Sequence, residues 1–240
     1  MELQLNEEQT AFVETVRKFL AAECPIPAVR ALEHEPDGFD RSVWRRACEL
    51  GWTSLLVSED DGGGSLSEHG LADLALVAEE MGRAVAPGPL VPTNVVAGAV
   101  SRHGSSGAKS EVLLGLLDGT EIGAWCGPDP VTARTSGDTV VLDGIRPLVE
   151  AGAEADHLLV TFEREGRIGQ AIVAVDAPGV IATPLDGLDL VRRFASIRFD
   201  GVVVEQWAVL GDPDADASAD VERLYGEPAD PAVIVSGGAG

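Results

Sequence analysis

The residue types that most often carry chemistry are thinly spread along this chain of 240 residues. None of its four histidines belongs to an HExxH motif or to another metal-ligand spacing; they are His34, His69, His103 and His157. No serine stands in the G-x-S-x-G elbow of a hydrolase. These patterns predict neither a metal site nor a serine nucleophile, and they identify no catalytic residue.

The cysteines and the glycine-rich segment indicate structural roles. Cys24, Cys48 and Cys126 are an odd number without a close pair, which predicts free thiols in place of a disulfide framework or a zinc site. Three consecutive glycines at 62–64 lack the strand, helix and spacing of a phosphate-binding loop. We therefore interpret the glycine run as a turn.

The formal net charge of -23 disfavours partners that are bound through clustered lysine and arginine. Nucleic acid and anionic membranes are therefore not expected as partners. Two arginine pairs could still bind a phosphate locally, with solvated surface charge as the alternative: Arg45 with Arg46, and Arg192 with Arg193. No apolar run approaches the roughly 18 residues of a membrane helix. Since the amino terminus also lacks the pattern of an export signal, the sequence predicts a soluble cytoplasmic protein.

Periodic apolar residues predict that residues 1–118 form a helical domain. Asn6 stands three residues before Gln9, which predicts a capping box, and Pro25 should end this first helix. A second helix is predicted from about Asp40 to Leu50, and a long helix from Ser67 to Gly82. Two shorter helices are predicted at 92–104 and 105–119.

Residues 119–210 contain short segments rich in Val and Ile, separated by Gly, Asp and Pro, which is the pattern of successive strands. The tripeptides LDG and FDG are predicted turns. Because the links are too short for crossover helices, antiparallel pairing in a small barrel or sandwich is favoured. The predicted fold class is α+β, an all-α domain followed by a β-barrel or sandwich. Residues 211–240 are predicted to be an acidic, flexible tail.

Three blocks of the chain resemble conserved segments of a known protein family. They are LNEEQTAFVETVRKFLAAE at 5–23, WRRACELGWTSLLVSEDDGGGSLS at 44–67 and LADLALVAEEMGRAVAPGPLVPT at 71–93. In this order and spacing they resemble the acyl-CoA dehydrogenase family, and the similarity extends over about residues 3–215. The resemblance implies the family's amino-terminal helical domain and middle β-domain, without its carboxy-terminal helical domain.

The resemblance also implies an FAD cofactor and places a flavin-contacting strand and turn at AWCGPDP, 124–130. Trp125, Cys126, Gly127 and Asp129 then correspond to cofactor-binding positions. The alternative is a core role for Trp125 and Cys126 and a turn role for Asp129. Pro128 stands where the family carries a flavin-contacting hydroxyl, and a second contact, W-I-T/S, is replaced by Leu148, Val149 and Glu150. The resemblance therefore leaves open whether FAD is bound.

The family's reaction, which the resemblance implies for lipid metabolism such as fatty acid β-oxidation, oxidises an acyl-CoA thioester to its 2,3-enoyl form. A carboxylate removes the α-proton while hydride passes to the flavin. Relatives take this carboxylate from the carboxy-terminal domain, and no Glu or Asp here can be matched to it. We therefore expect an exposed apolar surface and a second acyl-CoA dehydrogenase-like subunit that supplies the base. Two alternatives stay open: a non-catalytic assembly subunit and a truncated, inactive fragment.

Overall fold

The computed structural model describes residues 5–189, 191–212 and 217, so the predicted flexible tail lies almost wholly outside the described residues. No helix within these ranges has the length and apolar character to cross a membrane. The helical part consists of α1 (Glu7–Glu23), α2 (Ile26–Ala31), α3 (Arg41–Glu49), α4 (Gly70–Ala84), α5 (Leu90–His103), α6 (Ser106–Ala108) and α7 (Leu114–Asp118), with a π-helical turn at Lys109–Leu113 between the last two.

The first helices begin and end where local chemistry predicts. The Gln9 N–H donates to Asn6 Oδ1 at 2.7 Å and the Asn6 N–H donates to Gln9 Oε1 at 3.1 Å, which confirms the capping box. α1 ends at Glu23, before Pro25. The side chain of Asp40 caps α3 by accepting the Ser42 N–H at 2.7 Å.

The long helix α4 begins at Gly70, three residues later than predicted. The reason is Asp73, a fully buried carboxylate of the first helical turn. It accepts the backbone N–H groups of Leu66 and Ser67 at 2.7 and 3.1 Å, and the Ser67 hydroxyl at 2.9 Å. The residues expected to open the helix are therefore held as a loop over its start. Gln9 of α1 also donates to Asp73 at 2.8 Å, which ties the two helices together.

The β part is one hydrogen-bonded sheet in the order β6-β7-β3-β2-β4-β5-β8, with β1 paired to β4. Most neighbours are antiparallel, as predicted, while β1 and β2 both run parallel to β4. The fold is therefore a helical domain followed by a mainly antiparallel sheet, which confirms the predicted α+β class. Its strands are β1 (Gly123–Trp125), β2 (Val131–Ser136), β3 (Thr139–Glu150), β4 (His157–Arg164), β5 (Arg167–Ala174), β6 (Val180–Leu185), β7 (Phe194–Val204) and β8 (Val209–Leu210).

Two predictions about turns are wrong. LDG at 142–144 lies inside β3, and FDG at 199–201 lies inside β7. The two segments face each other in the β3–β7 pair, and the register of that pair shifts between Leu142 and Gly144. These residues form a bulge-like irregularity in the pairing of two long strands. Gly and Asp are common in such irregularities as well as in turns. The segment VTARTSGD at 131–138 forms β2 and the turn that leads into β3.

Helix α5 joins the helical part to the sheet by packing against β1. Val96 and Val100 of this helix are fully buried. A Cβ atom on Gly123 of β1 would lie 2.7 Å from Val96 Cβ, so this glycine permits the close approach. The Asn94 amide donates to the Trp52 carbonyl oxygen at 2.8 Å and adds a polar tie. The strand that leads to the predicted cofactor contact is thus fixed against the helical core.

The loop that precedes the glycine run is held by Asp61. Its carboxylate accepts Lys109 Nζ at 2.8 Å and the Ser101 hydroxyl at 2.7 Å. These bonds, with the Lys109 bond the largest cause, lower the pKa of Asp61 to about 2 from an ordinary value of 3.8. The ionised form of Asp61 is therefore favoured by the folded state.

We expect Lys109→Met to raise the pKa of Asp61 toward 3.8. Because the pKa of Asp61 is depressed on folding, its stabilisation is complete above 3.8 and is lost as the pH falls through about 2. The variant should therefore lose part of the acid dependence of the unfolding free energy in this window. Carboxyl NMR titration measures the pKa, and Lys18→Met, which removes an exposed lysine, serves as the control. An unchanged Asp61 titration in the Lys109 variant would contradict this assignment.

Candidate active site

The predicted cofactor segment begins in β1 and continues into the turn after it. Trp125 is half-buried and packs on the core that α5 shares with the sheet. The Cys126 side chain is buried, and this burial raises the pKa of its thiol to about 12. A thiol in this state is inert as a nucleophile, and it points away from a surface ligand. Cys126 can therefore offer a cofactor only its backbone.

Arg146 of β3 fixes this turn through hydrogen bonds from its guanidinium. Its Nε donates to the Cys126 carbonyl oxygen at 2.8 Å, and its Nη2 lies 2.9 Å from Asp129 Oδ2. The Arg146 side chain is 13% exposed and that of Asp129 is 78% exposed, so the guanidinium is inserted beneath the turn. Thr161 also donates to the Gly127 carbonyl oxygen at 3.1 Å. The carboxylate predicted to contact a cofactor is therefore paired with a cation of the chain itself.

The second predicted contact, at 148–150, is the end of β3. Val149 is fully buried, whereas Leu148 is 65% exposed. Glu150 accepts two hydrogen bonds from Arg192, one from Nε at 3.0 Å and one from Nη2 at 2.5 Å. The pair has the bidentate geometry that makes Arg–carboxylate contacts strong. The hydrogen bonds that Arg192 donates to Glu150 raise the pKa of the Arg192 guanidinium above its ordinary value.

The loop that carries Arg192 is itself fixed. Asp189 accepts the backbone N–H groups of Val191 and Arg192 at 2.9 and 3.1 Å, and these bonds, above all the one from Arg192, lower the pKa of Asp189. The guanidinium carbon of Arg192 lies 5.2 Å from the ring centroid of Phe194, a cation–π distance. These contacts of the described residues place the Arg192 side chain beside Glu150.

Arg193, the residue after Arg192, connects this loop to the helical part through hydrogen bonds. Arg193 Nη2 donates to the Glu33 carbonyl oxygen at 2.9 Å and lies 3.3 Å from that of Glu35. A Cβ on Gly38 would stand 2.3 Å from Arg193 Nε, so a glycine is needed where this arginine enters. Arg46, of the other predicted arginine pair, donates to Glu23 at 2.6 Å. These contacts favour structural roles over phosphate binding for Arg46, Arg192 and Arg193.

Two open grooves meet at Asp189 and Arg192. The first, which we call the helix groove, has a volume of about 480 Å³ and lies between α4, α5 and the Arg192 loop. Its apolar wall is formed by Ala78, Met81, Val85, Leu90 and Val91, and its charged end by Glu150, Asp189 and Arg192. The second, the strand groove, has a volume of about 390 Å³, and its apolar lining is formed by Leu148, Leu185, Leu188 and Phe194.

The residues present do not fit a flavin ring at the implied position. The carbonyl oxygens and N5 of an oxidised flavin are acceptors that need hydrogen-bond donors, and N3–H is the only donor of the ring. Pro128 has neither a hydroxyl nor an N–H, Asp129 is held by Arg146, and ionised Glu150 can only accept. The side chains that the family uses as donors are therefore absent from both contact segments.

Other chemistry receives no support from the described part of the chain. Within it, no group of three or more His, Cys, Asp or Glu side chains could hold a metal ion. The His157 ring lies 2.9 Å from the Glu121 carboxylate, which is a polar pair beside β4. Sequence reasoning missed the role of Arg146, because its partners Cys126 and Asp129 are 20 and 17 residues away and no local pattern joins them.

Comparison with known proteins places this geometry in a family. Residues 6–120 match the family model described as "Acyl-CoA dehydrogenase, N-terminal domain". The chain is similar to acyl-CoA dehydrogenase IpdE2 of Mycobacterium tuberculosis, at 36% identity over 136 residues. That alignment covers 56% of this chain and 42% of IpdE2, so the chain spans less than half the length of this relative.

Solved structures share the fold over nearly the whole described chain. The ChsE4-ChsE5 complex from Mycobacterium tuberculosis matches with a TM-score of 0.81 and 24% identity, covering 93% of this chain and 62% of the other. A glutaryl-CoA dehydrogenase from Mycobacterium smegmatis, solved in complex with FADH2, matches with a TM-score of 0.78 and 19% identity, covering 92% and 60%. At these identities the two structures establish the shared architecture.

Proposed function

Because the chain belongs to the acyl-CoA dehydrogenase family, we propose that it is a component of an enzyme that carries out FAD-dependent α,β-dehydrogenation of an acyl-CoA thioester. In this proposal the catalytic base is supplied by another chain. The observation that carries the proposal is the open helix groove, whose charged end is formed in part by Glu150 of the second segment that corresponds to a flavin contact of the family.

The helix groove suits the acyl part of such a substrate. Its wall is formed by apolar side chains of α4 and α5, and its volume of about 480 Å³ lies in the range of ligand sites. Val85 and Val91, both 47% exposed, are the parts of this wall that face solvent most openly. Burying an acyl chain against them would remove apolar surface from water, which is the main driving force for binding a hydrocarbon.

Neither carboxylate of the helix groove is suited to act as the base. Glu150 and Asp189 are the acidic residues of its lining. Glu150 is paired through both oxygens with Arg192, and Asp189 accepts two backbone N–H groups through Oδ1, which lowers the pKa of Asp189. A general base must reach the substrate proton with an available lone pair and a pKa near the working pH. The base is therefore assigned to a group brought in from outside these residues.

The surface around the two grooves supports a partner chain. Leu188 is fully exposed and Leu148 is 65% exposed, and both line the strand groove, which meets the helix groove at Asp189 and Arg192. Exposed apolar side chains of this kind, here called the apolar edge, are typical of an interaction site. A second copy would bring together two chains of formal charge -23, so a less acidic subunit is favoured. The fold-level match to ChsE4-ChsE5, which was solved as a complex, is in keeping with a heteromer.

A second candidate function is a non-catalytic assembly subunit of a heteromeric acyl-CoA dehydrogenase. The pairing of Asp129 with Arg146, and of Glu150 with Arg192, favours this alternative because the chain neutralises its own polar groups at the flavin-contact positions. Under this alternative, Trp125, Cys126, Gly127 and Asp129 are structural, whereas under the first proposal they remain predicted cofactor-binding positions.

The test is activity of the assembled enzyme. The chain is co-expressed with each acyl-CoA dehydrogenase subunit of its source organism, and conversion of acyl-CoA to enoyl-CoA is followed with an artificial electron acceptor. We expect activity in one pair and none from this chain alone with added FAD. Turnover by the isolated chain, or no active pair, would refute the proposed function.

Matched variants locate the partner surface. Leu188→Asp should abolish co-purification with the active partner, because it places a charge in the apolar edge. Leu114→Asp, a change at a position 71% exposed on α7, should leave co-purification intact. Equal effects of the two changes would show that the apolar edge is not the partner surface.

A further inference from the structure

We infer that the Glu150–Arg192 ion pair keeps flavin off this middle domain, so that the flavin of the assembled enzyme is bound by the other chain. This inference rests on the proposed function, since it concerns the same site. It differs in naming which chain holds the cofactor and which residues of this chain decide it.

The ion pair lies at the point where the two grooves meet. Glu150 ends β3 and Arg192 opens the approach to β7, and both line the helix groove. In the sheet, Glu150 pairs directly with Phe194, whose ring lies beside the guanidinium of Arg192. Leu148, the other residue of this contact segment, faces the strand groove. The edge of a flavin ring placed along residues 148–150 would therefore contact the Glu150–Arg192 ion pair.

The Glu150 carboxylate is unsuited to contact flavin N5. Its oxygens are acceptors, and N5 of the oxidised flavin is an acceptor as well, so a direct contact would bring two lone pairs together. The hydroxyl that the family carries at this position can donate, and a carboxylate cannot.

Several contacts hold the pair in place. Arg192 is held by two hydrogen bonds from its guanidinium to Glu150 and by the Phe194 ring. Asp189 accepts the backbone N–H of the same residue. A ligand that moved the Arg192 side chain, which is 57% exposed, would leave the Glu150 carboxylate, which is 26% exposed, without its partner.

The first contact segment gives independent support. Pro128 removes both a hydroxyl and an N–H from the turn, and Arg146 occupies the Cys126 carbonyl oxygen and the Asp129 carboxylate. Two segments that are separate in sequence have thus both replaced ligand contacts by contacts within the chain. Their agreement indicates loss of the cofactor site as a whole.

The test restores the donors in the intact chain. FAD is titrated against the wild-type chain, Glu150→Thr and the double variant Pro128→Thr/Glu150→Thr, with flavin fluorescence and calorimetry as readouts. We expect no saturable binding by the wild type. The single variant should gain FAD affinity by about tenfold or more, the factor that corresponds to one restored hydrogen bond, and the double variant by more.

Glu163→Thr is the matched control, since it removes an exposed glutamate from β4, away from both grooves. Thermal unfolding verifies that each variant is folded, and Glu150→Thr alone suffices if the double variant is not. Saturable FAD binding by the wild type overturns the inference, and so does a lack of gain in folded Glu150→Thr. The proposed function fails separately, through the absence of an active pair, and does not depend on these titrations.

Discussion

Asp73→Ala is expected to lower the free energy of unfolding by about 3 kcal/mol or more, since it removes a buried charged acceptor from several donors at once. The carboxylate is fully buried and accepts from the Gln9 amide, the Leu66 and Ser67 N–H groups and the Ser67 hydroxyl. Without it these donors lose their partner in the interior. Urea unfolding at neutral pH measures the loss.

Asp60→Ala is the control for this change, because Asp60 is exposed and belongs to the loop before the glycine run. Its effect should stay within about 0.5 kcal/mol, as is usual for surface substitutions. Asp73→Asn should also be destabilising, because an amide nitrogen would face N–H donors. A stability of Asp73→Ala close to that of the wild type would show that the loop is not held by this carboxylate.

Gly63→Ala is the second large effect, with an expected loss of about 3 kcal/mol, at the upper end of the range for overpacking. A Cβ atom at this position would lie 2.4 Å from the Val57 carbonyl oxygen and 2.7 Å from that of Ser54. These are backbone atoms of a loop closed by hydrogen bonds from Gly63 to Ser58 and from Gly64 to Ser54, so they cannot easily move.

The control is Gly82→Ala in α4, where an added Cβ would meet nothing within 4 Å. Alanine is the better helix former by roughly 0.5–1 kcal/mol, so this variant should be as stable as the wild type or more stable. Thermal unfolding of the two variants in parallel separates a packing effect from loss of glycine as such. Equal stability of both would contradict the close approach at Gly63.

The elements that local chemistry specifies could be predicted from the sequence. The capping box of Asn6 and Gln9 and the stop at Pro25 need only neighbouring residues, and both are present in the structure. The change from helix to strand near residue 119 follows from composition and periodicity. The order of the two parts of the chain follows from the same patterns, and the family resemblance agrees with it.

The features that depend on pairing partners could not be predicted in the same way. LDG and FDG have the composition of turns, yet the pairing of β3 with β7 converts them into an irregularity inside long strands. The start of α4 is decided by Asp73, which captures residues that precede its own helix. In both cases the tertiary partner overrides the local preference.

Prediction of the candidate site from the sequence is limited in the same way, because its contacts join residues that are distant in the chain. The sequence marks Pro128 and Glu150 as departures from the family's pattern, but the residues that neutralise Asp129 and Glu150 are 17 and 42 positions away. Arg192 was predicted only as a phosphate ligand or a surface charge. Whether Trp125, Cys126, Gly127 and Asp129 contact a cofactor stays a prediction, and the burial of the Cys126 side chain limits it to the backbone.

We propose that this chain completes an acyl-CoA dehydrogenase whose flavin and base are held by another chain. Sedimentation velocity, followed through both protein and visible flavin absorbance, tests this proposal most directly on the chain alone and with its partner. We expect the chain alone to sediment without colour, and flavin to co-sediment with a particle that contains both chains and fewer flavins than chains. Flavin that sediments with the isolated chain in equimolar amount would contradict this proposal.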